Sequence, residues 1–132
     1  MSEKNVEIVR LVQDAYERRD VPTLRALNDP NVELDWSASR GWLAGVYCGF
    51  EEVLRFYSEY FEAFEEITIV ADAYIPVGDS VVVPNVAHQR GRDGIEVTAR
   101  GVFVFTLREH KVTRICLYQE KSEALKAVGL EE

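Results

Sequence analysis

The order of hydrophobic patterns constrains this chain more than any motif in it. Helical periodicity fills the first half, and strand alternation broken by tight turns fills the second. A helix is predicted over residues 3–19, with Ile8, Val9, Val12, Ala15 and Tyr16 on one face and Glu7, Arg10, Asp14, Glu17 and Arg18 on the other. Asp20 reads as an N-cap, and Pro22 opens a short helix ending at Leu27, because proline costs little in a first turn that makes no intrahelical N–H bond. A short strand over residues 32–36 sets Glu33 and Asp35 on one side and Val32, Leu34 and Trp36 on the other. Residues 37–49 form a loop rich in glycine and serine that nevertheless carries Trp42, Leu43, Val46 and Tyr47. A further helix over residues 50–64 has an inner stripe of Val53, Tyr57, Tyr60, Phe61 and Phe64.

Four strands are predicted over residues 67–76, 80–90, 95–107 and 111–119, joined by turns short enough to imply an antiparallel meander. Residues 122–128 form a short closing helix or turn, with Gly129 where a left-handed C-terminal cap falls. The second strand of the meander places Val82, Pro84, Val86, His88 and Arg90 on one face, and Val81, Val83, Asn85, Ala87 and Gln89 on the other. The third sets Val97, Ala99, Gly101, Phe103, Phe105 and Leu107 against Thr98, Arg100, Val102, Val104 and Thr106. A sheet that is apolar on both faces needs two covers. Helices supply one and a second copy of the chain the other, so a homodimer through the outer sheet face is expected. Periodicity alone does not choose the inner face.

Composition narrows the function classes. A chain of 132 residues with 47% hydrophobic and 11% aromatic residues builds one domain over residues 1–132 with a sizeable core. A net charge of -8, with Lys and Arg scattered, repels phosphate backbones and anionic lipids, so no nucleic acid and no membrane is expected as a partner. No run of 18 apolar residues and no secretory leader is present, which implies a cytoplasmic protein. Cys48 and Cys116 lie far apart without clustered partners, so neither a disulfide nor a metal site is expected, and no cofactor is implied.

Six segments in order resemble the SnoaL-like polyketide cyclases of the nuclear-transport-factor-two-like superfamily, which also contains ketosteroid isomerase. They are Tyr16-Glu17-Arg18-Arg19-Asp20, Val32-Glu33-Leu34-Asp35-Trp36, Gly49-Phe50-Glu51-Glu52-Val53, Gly78-Asp79-Ser80-Val81-Val82-Val83, Arg90-Gly91-Arg92-Asp93-Gly94, and Ser122-Glu123-Ala124-Leu125 with Gly129. The resemblance covers nearly the whole chain. It implies an α+β cone in which a strongly curved antiparallel sheet wraps three N-terminal helices around a pocket, and whose outer sheet face forms dimers. By it, Asp35, Tyr57, Val86, His88, Phe103, Leu117 and Gln119 look inward. Asp35 stands where the isomerase keeps its proton-shuttling carboxylate, and Tyr57 matches an aromatic of its pocket. The isomerase's oxyanion-binding tyrosine falls near Val12 and its carboxylic partner at Phe103, so steroid isomerisation is not expected. Glu120-Lys121 and His110 depart from the pattern of close relatives.

Asp35, His88 and Tyr57 are the catalytic candidates. A desolvated Asp35 has its charged form disfavoured and so suits proton transfer next to a carbonyl, while His88 and Tyr57 polarise the oxygen or orient the acid. The bland readings are a solvated or capping carboxylate, a core histidine bonded to a backbone carbonyl, and a core aromatic. Trp42, Tyr60, Val86, Arg90, Phe103, Leu117 and Gln119 are the ligand-binding candidates, though Arg90 at a strand end normally extends into solvent. Two functions follow. One is a cofactor-free cyclase, isomerase or dehydratase acting on a hydrophobic carbonyl compound, and the other is a ligand-binding or dimerisation module without chemistry. Epoxide hydrolysis would need a second carboxylate beside Asp35 and Arg90, and none presents itself. The enzyme reading requires Asp35 and His88 to reach one point in the pocket, directly or through one water.

Overall fold

The first half of the chain is mainly helical and the second mainly strand, as the change of period from 3.6 to 2 requires. In the computed structural model, which describes residues 2–130, the order is α1 (Ser2–Glu17), α2 (Val21–Leu27), β1 (Asn28–Asp35), β2 (Val46–Cys48), α3 (Phe50–Ala63), β3 (Phe64–Ala71), β4 (Ile75–Val77), β5 (Ser80–Gly91), β6 (Glu96–Arg108), β7 (Lys111–Tyr118) and α4 (Lys121–Ala127). The sheet runs β2-β1-β7-β6-β5-β3, with β4 beside β5. It is open, and antiparallel except where β1 lies parallel to β7. That pair cannot be a hairpin, and the long excursion from α3 through β6 supplies the crossover.

Two cores hold the layers. On the inner face Val81, Val83, Phe105, Leu107 and Ile115 meet Ile8, Val9 and Val12 of α1 and Val53, Phe56 and Tyr57 of α3. On the outer face Val82, Val102 and Val104 pack under Ala124 and Leu125 of α4. The second cover expected for a doubly apolar sheet is therefore supplied in part by the chain's own last helix. Toward β3 that face is bare: Val70 is 50% exposed, and His88 and Thr98 are exposed beside it.

The segment 67–76 splits into β3 and β4, which address opposite ends of β5: Val70 pairs with Val86 and Ile75 with Val82. β2, three residues long inside the apolar loop, is too short for alternation to reveal. None of the helices among the described residues is long and apolar enough to cross a membrane.

Termini of the helices show how distant residues lock the layers. Asp20 accepts from Thr23 N at 3.2 Å and from Thr23 Oγ1 at 2.7 Å, as an N-cap should. Gly49, at φ 89, turns β2 into α3 in a conformation costly for any side chain. The last turn of α3 holds no basic residue. Arg19 donates instead to the carbonyls of Phe61 (3.0 Å), Phe64 (2.8 Å) and Glu65 (3.3 Å), and Arg92 to those of Glu62 (2.7 Å) and Phe61 (3.1 Å). Two guanidinium groups from the end of α1 and the β5–β6 turn thus satisfy orphan carbonyls and oppose the negative end of the helix dipole. Replacing Arg19 by Lys keeps the charge and the cost of its left-handed backbone (φ 58) but removes the fork. Arg19→Lys is expected to lower stability by about 1–2 kcal/mol in urea denaturation.

Candidate functional site

Apolar packing of α1 and α3 against the inner sheet face is incomplete. It leaves a cavity of about 90 Å³ bordered by Val12, Gln13 and Tyr16 of α1, Phe56, Tyr57 and Tyr60 of α3, and inner-face side chains including Leu34, Ala87, Gln89, Phe103 and Ile115. A wider vestibule of about 520 Å³ adjoins it. The two share Trp36, Tyr60, Ala87, Gln89 and Phe103, which border both. Trp42, 64% exposed, stands over the vestibule with its ring 6.2 Å from Tyr60. Gln119 Nε2 donates to Ala38 O at 2.7 Å and ties the loop that carries Trp42 to the end of β7.

Three phenols dominate the inner cavity. The rings of Tyr16 and Tyr57 lie 5.0 Å apart, and Tyr57 leads through Phe56 to Tyr60 at ring distances of 5.9 and 5.1 Å. Burial pushes the Tyr57 hydroxyl up, with no other contribution. Burial raises Tyr16 first, and the neighbouring Tyr57 and Tyr60 raise it further. Tyr60 is also raised by burial, offset in part by the indole N–H of Trp36. All three hydroxyls therefore stay protonated at any physiological pH and can donate hydrogen bonds. Gln13 Nε2 is buried without a partner, while its Oε1 accepts from Tyr74 at 2.6 Å. Among the described residues lining the cavity and vestibule there is no Asp, Glu or His.

A family model for the SnoaL-like domain matches residues 8–115. The chain belongs to the SnoaL-like domain family. No curated protein matches its sequence. Among solved structures it is similar to a nuclear-transport-factor-two-like protein of unknown function from Burkholderia pseudomallei, at 24% identity over 98% of this chain and 99% of that one, with a TM-score of 0.78. A putative SnoaL-like polyketide cyclase from Jannaschia is 20% identical over 100% and 96% of the chains, at 0.76. A Mycobacterium tuberculosis protein solved with estradiol-17beta-hemisuccinate is 18% identical over 89% and 95%, at 0.78. At such identities the likeness establishes the fold. SnoaL-like membership suggests small-molecule binding or cyclase and isomerase chemistry without choosing between them.

Within this SnoaL-like domain the expected residues separate into two groups. Tyr57, Tyr60 and Phe103 line the inner cavity, while Trp42, Leu117 and Gln119 line the vestibule. Asp35, Val86 and His88 do not face inward. The strand parity of β1 places Leu34 and Trp36 at the cavity, which turns Asp35 to the opposite face, and β5 presents Val81, Val83, Asn85, Ala87 and Gln89 instead of the Val86–His88 series. His88 sits exposed between Thr68 and Thr98. Arg90 is spent on Glu66 (3.1 Å) and Glu65 (3.4 Å).

Asp35 accepts from Ser37 Oγ at 2.6 Å, from Ser37 N at 3.1 Å, and from Arg114 Nη2 at 3.2 Å. Ser37 foremost, with Arg114, outweighs desolvation and holds the carboxyl below the usual carboxylate range, the reverse of the shift a proton shuttle needs. Tyr16, Gln13, Trp36 and Gln89 were not legible as site residues. Tyr16 lies one turn beyond Val12 on the same helix face, and that spacing was the available signal. Val12 and Phe103 border the cavity without a donor, and Tyr16 is among its lining residues.

The Asp35 carboxyl should titrate by NMR below its ordinary midpoint of about 3.9. A depressed folded-state pKa contributes stability above the unfolded value and loses it as pH falls through the folded one. Asp35→Asn is therefore expected to cost about 1 kcal/mol at neutral pH, with the difference from wild type shrinking below about pH 3.9.

Proposed function

We propose that this SnoaL-like chain is a small-molecule binding protein that holds a hydrophobic, oxygen-bearing molecule in its pocket without moving a proton. One observation carries this reading: three tyrosines whose hydroxyls stay protonated line an apolar cavity whose lining, among the described residues, lacks any carboxylate or imidazole. Proton transfer next to a carbonyl needs a base within hydrogen-bond reach, and Asp35 and His88 stand on the other side of the sheet. Epoxide hydrolysis would need carboxylates and an arginine around one water, which the cavity lining does not offer. The volumes suit such a ligand, since the vestibule falls in the usual range for small-molecule sites and the inner cavity admits only its tip. The Mycobacterium tuberculosis neighbour, solved with estradiol-17beta-hemisuccinate, lends support as a ligand complex of the same fold.

A suitable probe is 2-acetylnaphthalene, a flat ketone, followed by isothermal titration. Tyr57→Phe keeps the ring and removes the donor, and is expected to weaken binding about 5- to 10-fold, or about 1–1.4 kcal/mol. Incubation in D₂O should give no protein-catalysed exchange at the methyl group beside the carbonyl. Unchanged affinity in Tyr57→Phe, or catalysed exchange, would overturn the reading.

The bare strip of the outer sheet face supports a second element of the proposal, a homodimer. Val70 and Val86 are cross-strand neighbours there, flanked by Arg90 with Glu66 and Arg100 with Asp72. A patch holding both charge signs around an apolar centre can complement its own two-fold image. Light scattering behind size exclusion should return twice the chain mass for wild type and the chain mass for Val86→Asp. A monomeric wild type at micromolar concentration would remove this element and leave the pocket reading intact.

A further inference from the structure

Buried polar groups in folded proteins nearly always find partners, so an unpaired one beside a cavity asks for an acceptor from outside. Gln13 is 8% exposed and borders the inner cavity, and its Nε2 has no partner among the described residues. The other end of the amide is committed, because Tyr74 donates to Oε1 at 2.6 Å. A phenol can donate or accept, so the direction of this bond depends on what surrounds Tyr74. The Arg10 guanidinium lies 4.3 Å from the ring centroid, and a cation over the ring withdraws charge and strengthens the hydroxyl as a donor. Glu17, the nearby carboxylate that could compete for that proton, accepts from Ile69 N at 2.6 Å.

We propose that Tyr74, capped by Arg10, is a positioning residue that locks the Gln13 amide with its N–H₂ group free for the ligand, so that the pocket selects molecules presenting an acceptor oxygen at their inner end. The inference rests on the binding reading above and sharpens it into a rule of recognition. The inner end of the ligand is a carbonyl or comparable acceptor, held jointly by Gln13 Nε2 and the tyrosine hydroxyls. Tyr74 never touches it. Rotation of the amide by half a turn would present Oε1 instead and repel that oxygen, which is why a residue outside the cavity controls what enters.

The test compares 2-acetylnaphthalene with 2-ethylnaphthalene, which match in shape and differ in the carbonyl. Wild type is expected to favour the ketone about tenfold or more, Gln13→Leu to cut that preference about 5- to 10-fold, and Tyr74→Phe about threefold, with hydrocarbon affinity changing less than twofold. The infrared carbonyl stretch of the bound ketone should lie lowest in wild type and rise in both variants, a readout that a purely structural role for Tyr74 would not move. Gln13→Leu deletes a buried unpaired donor together with the acceptor of the half-buried Tyr74 hydroxyl, so the two effects oppose each other and the variant should unfold at a denaturant concentration close to that of wild type. A stretch unchanged in both variants, or equal loss of both probes in Tyr74→Phe, overturns the inference while the pocket reading stands. Failure of wild type to bind either probe overturns the reading itself.

Discussion

The ladder of β5 on β6, from Ser80 opposite Thr106 to Arg90 opposite Glu96, is the constraint on which the pocket depends. Side-chain direction in a strand has a period of two, so this register commits every residue of both strands to one face. It puts Val83 beside Phe103 and Val81 beside Phe105, giving α1 and α3 an apolar floor. By the same step it sends His88 and Thr98 to the outer surface together. A slip of one residue would place an imidazole in the cavity and strip the helices of Val81 and Val83. The inner core, which buries both valines completely, excludes that alternative.

Among the described residues the cavity lining offers hydroxyl and amide groups and no carboxylate or imidazole. Desolvation favours the neutral form of the Tyr16 and Tyr57 hydroxyls, which leaves them able to donate a hydrogen bond and poor at accepting a proton. Groups of this kind suit the proposed role of orienting a ligand oxygen. The carboxylate that resemblance placed at the centre has another role. Arg114 reaches Glu33 at 3.2 Å and Asp35 at 3.2 Å, tying β7 to β1 where the sheet's one parallel pair lies. Ion pairs of this exposure contribute little to stability individually, and here they help define the register of that pair.

Architecture was legible because each element carries a pattern longer than the ambiguity it must overcome. Val53 and Tyr57 of α3 and the turns at Gly78 and Gly94, both at positive φ, read directly from residue types, while Phe56 is a buried member that the expected stripe left out and Phe64 opens β3. The inner face of β5 was not, since Val82, Pro84 and Val86 alternate with Val81, Val83 and Ala87 and both sets satisfy a strand buried on two sides. Resemblance broke that tie toward His88, and the packing of Phe103 and Phe105 breaks it the other way. For β1 the alternation alone, with Glu33 and Asp35 opposite Leu34 and Trp36, already held the answer. Gln13 was hidden for a different reason: on a helix drawn as two faces it sits at the boundary, and only the position of Tyr74, 61 residues away, shows what its amide does.

The unequal sizes of the two chambers explain why donor geometry matters more here than apolar area. A ligand filling the vestibule would bury most of its surface against Trp36, Trp42, Phe103 and Leu117, and such contacts are non-directional. They favour many hydrophobic molecules alike. Trp36, Tyr60 and Phe103 border both spaces, and in the proposed binding mode an acceptor reaching the smaller one would relieve the unpaired Gln13 amide, which a hydrocarbon would leave unpaired. On that proposal the outer chamber would set most of the affinity and the inner one the discrimination. Removing bulk from the shared residues would then add volume and affinity while losing the choice that the buried amide imposes.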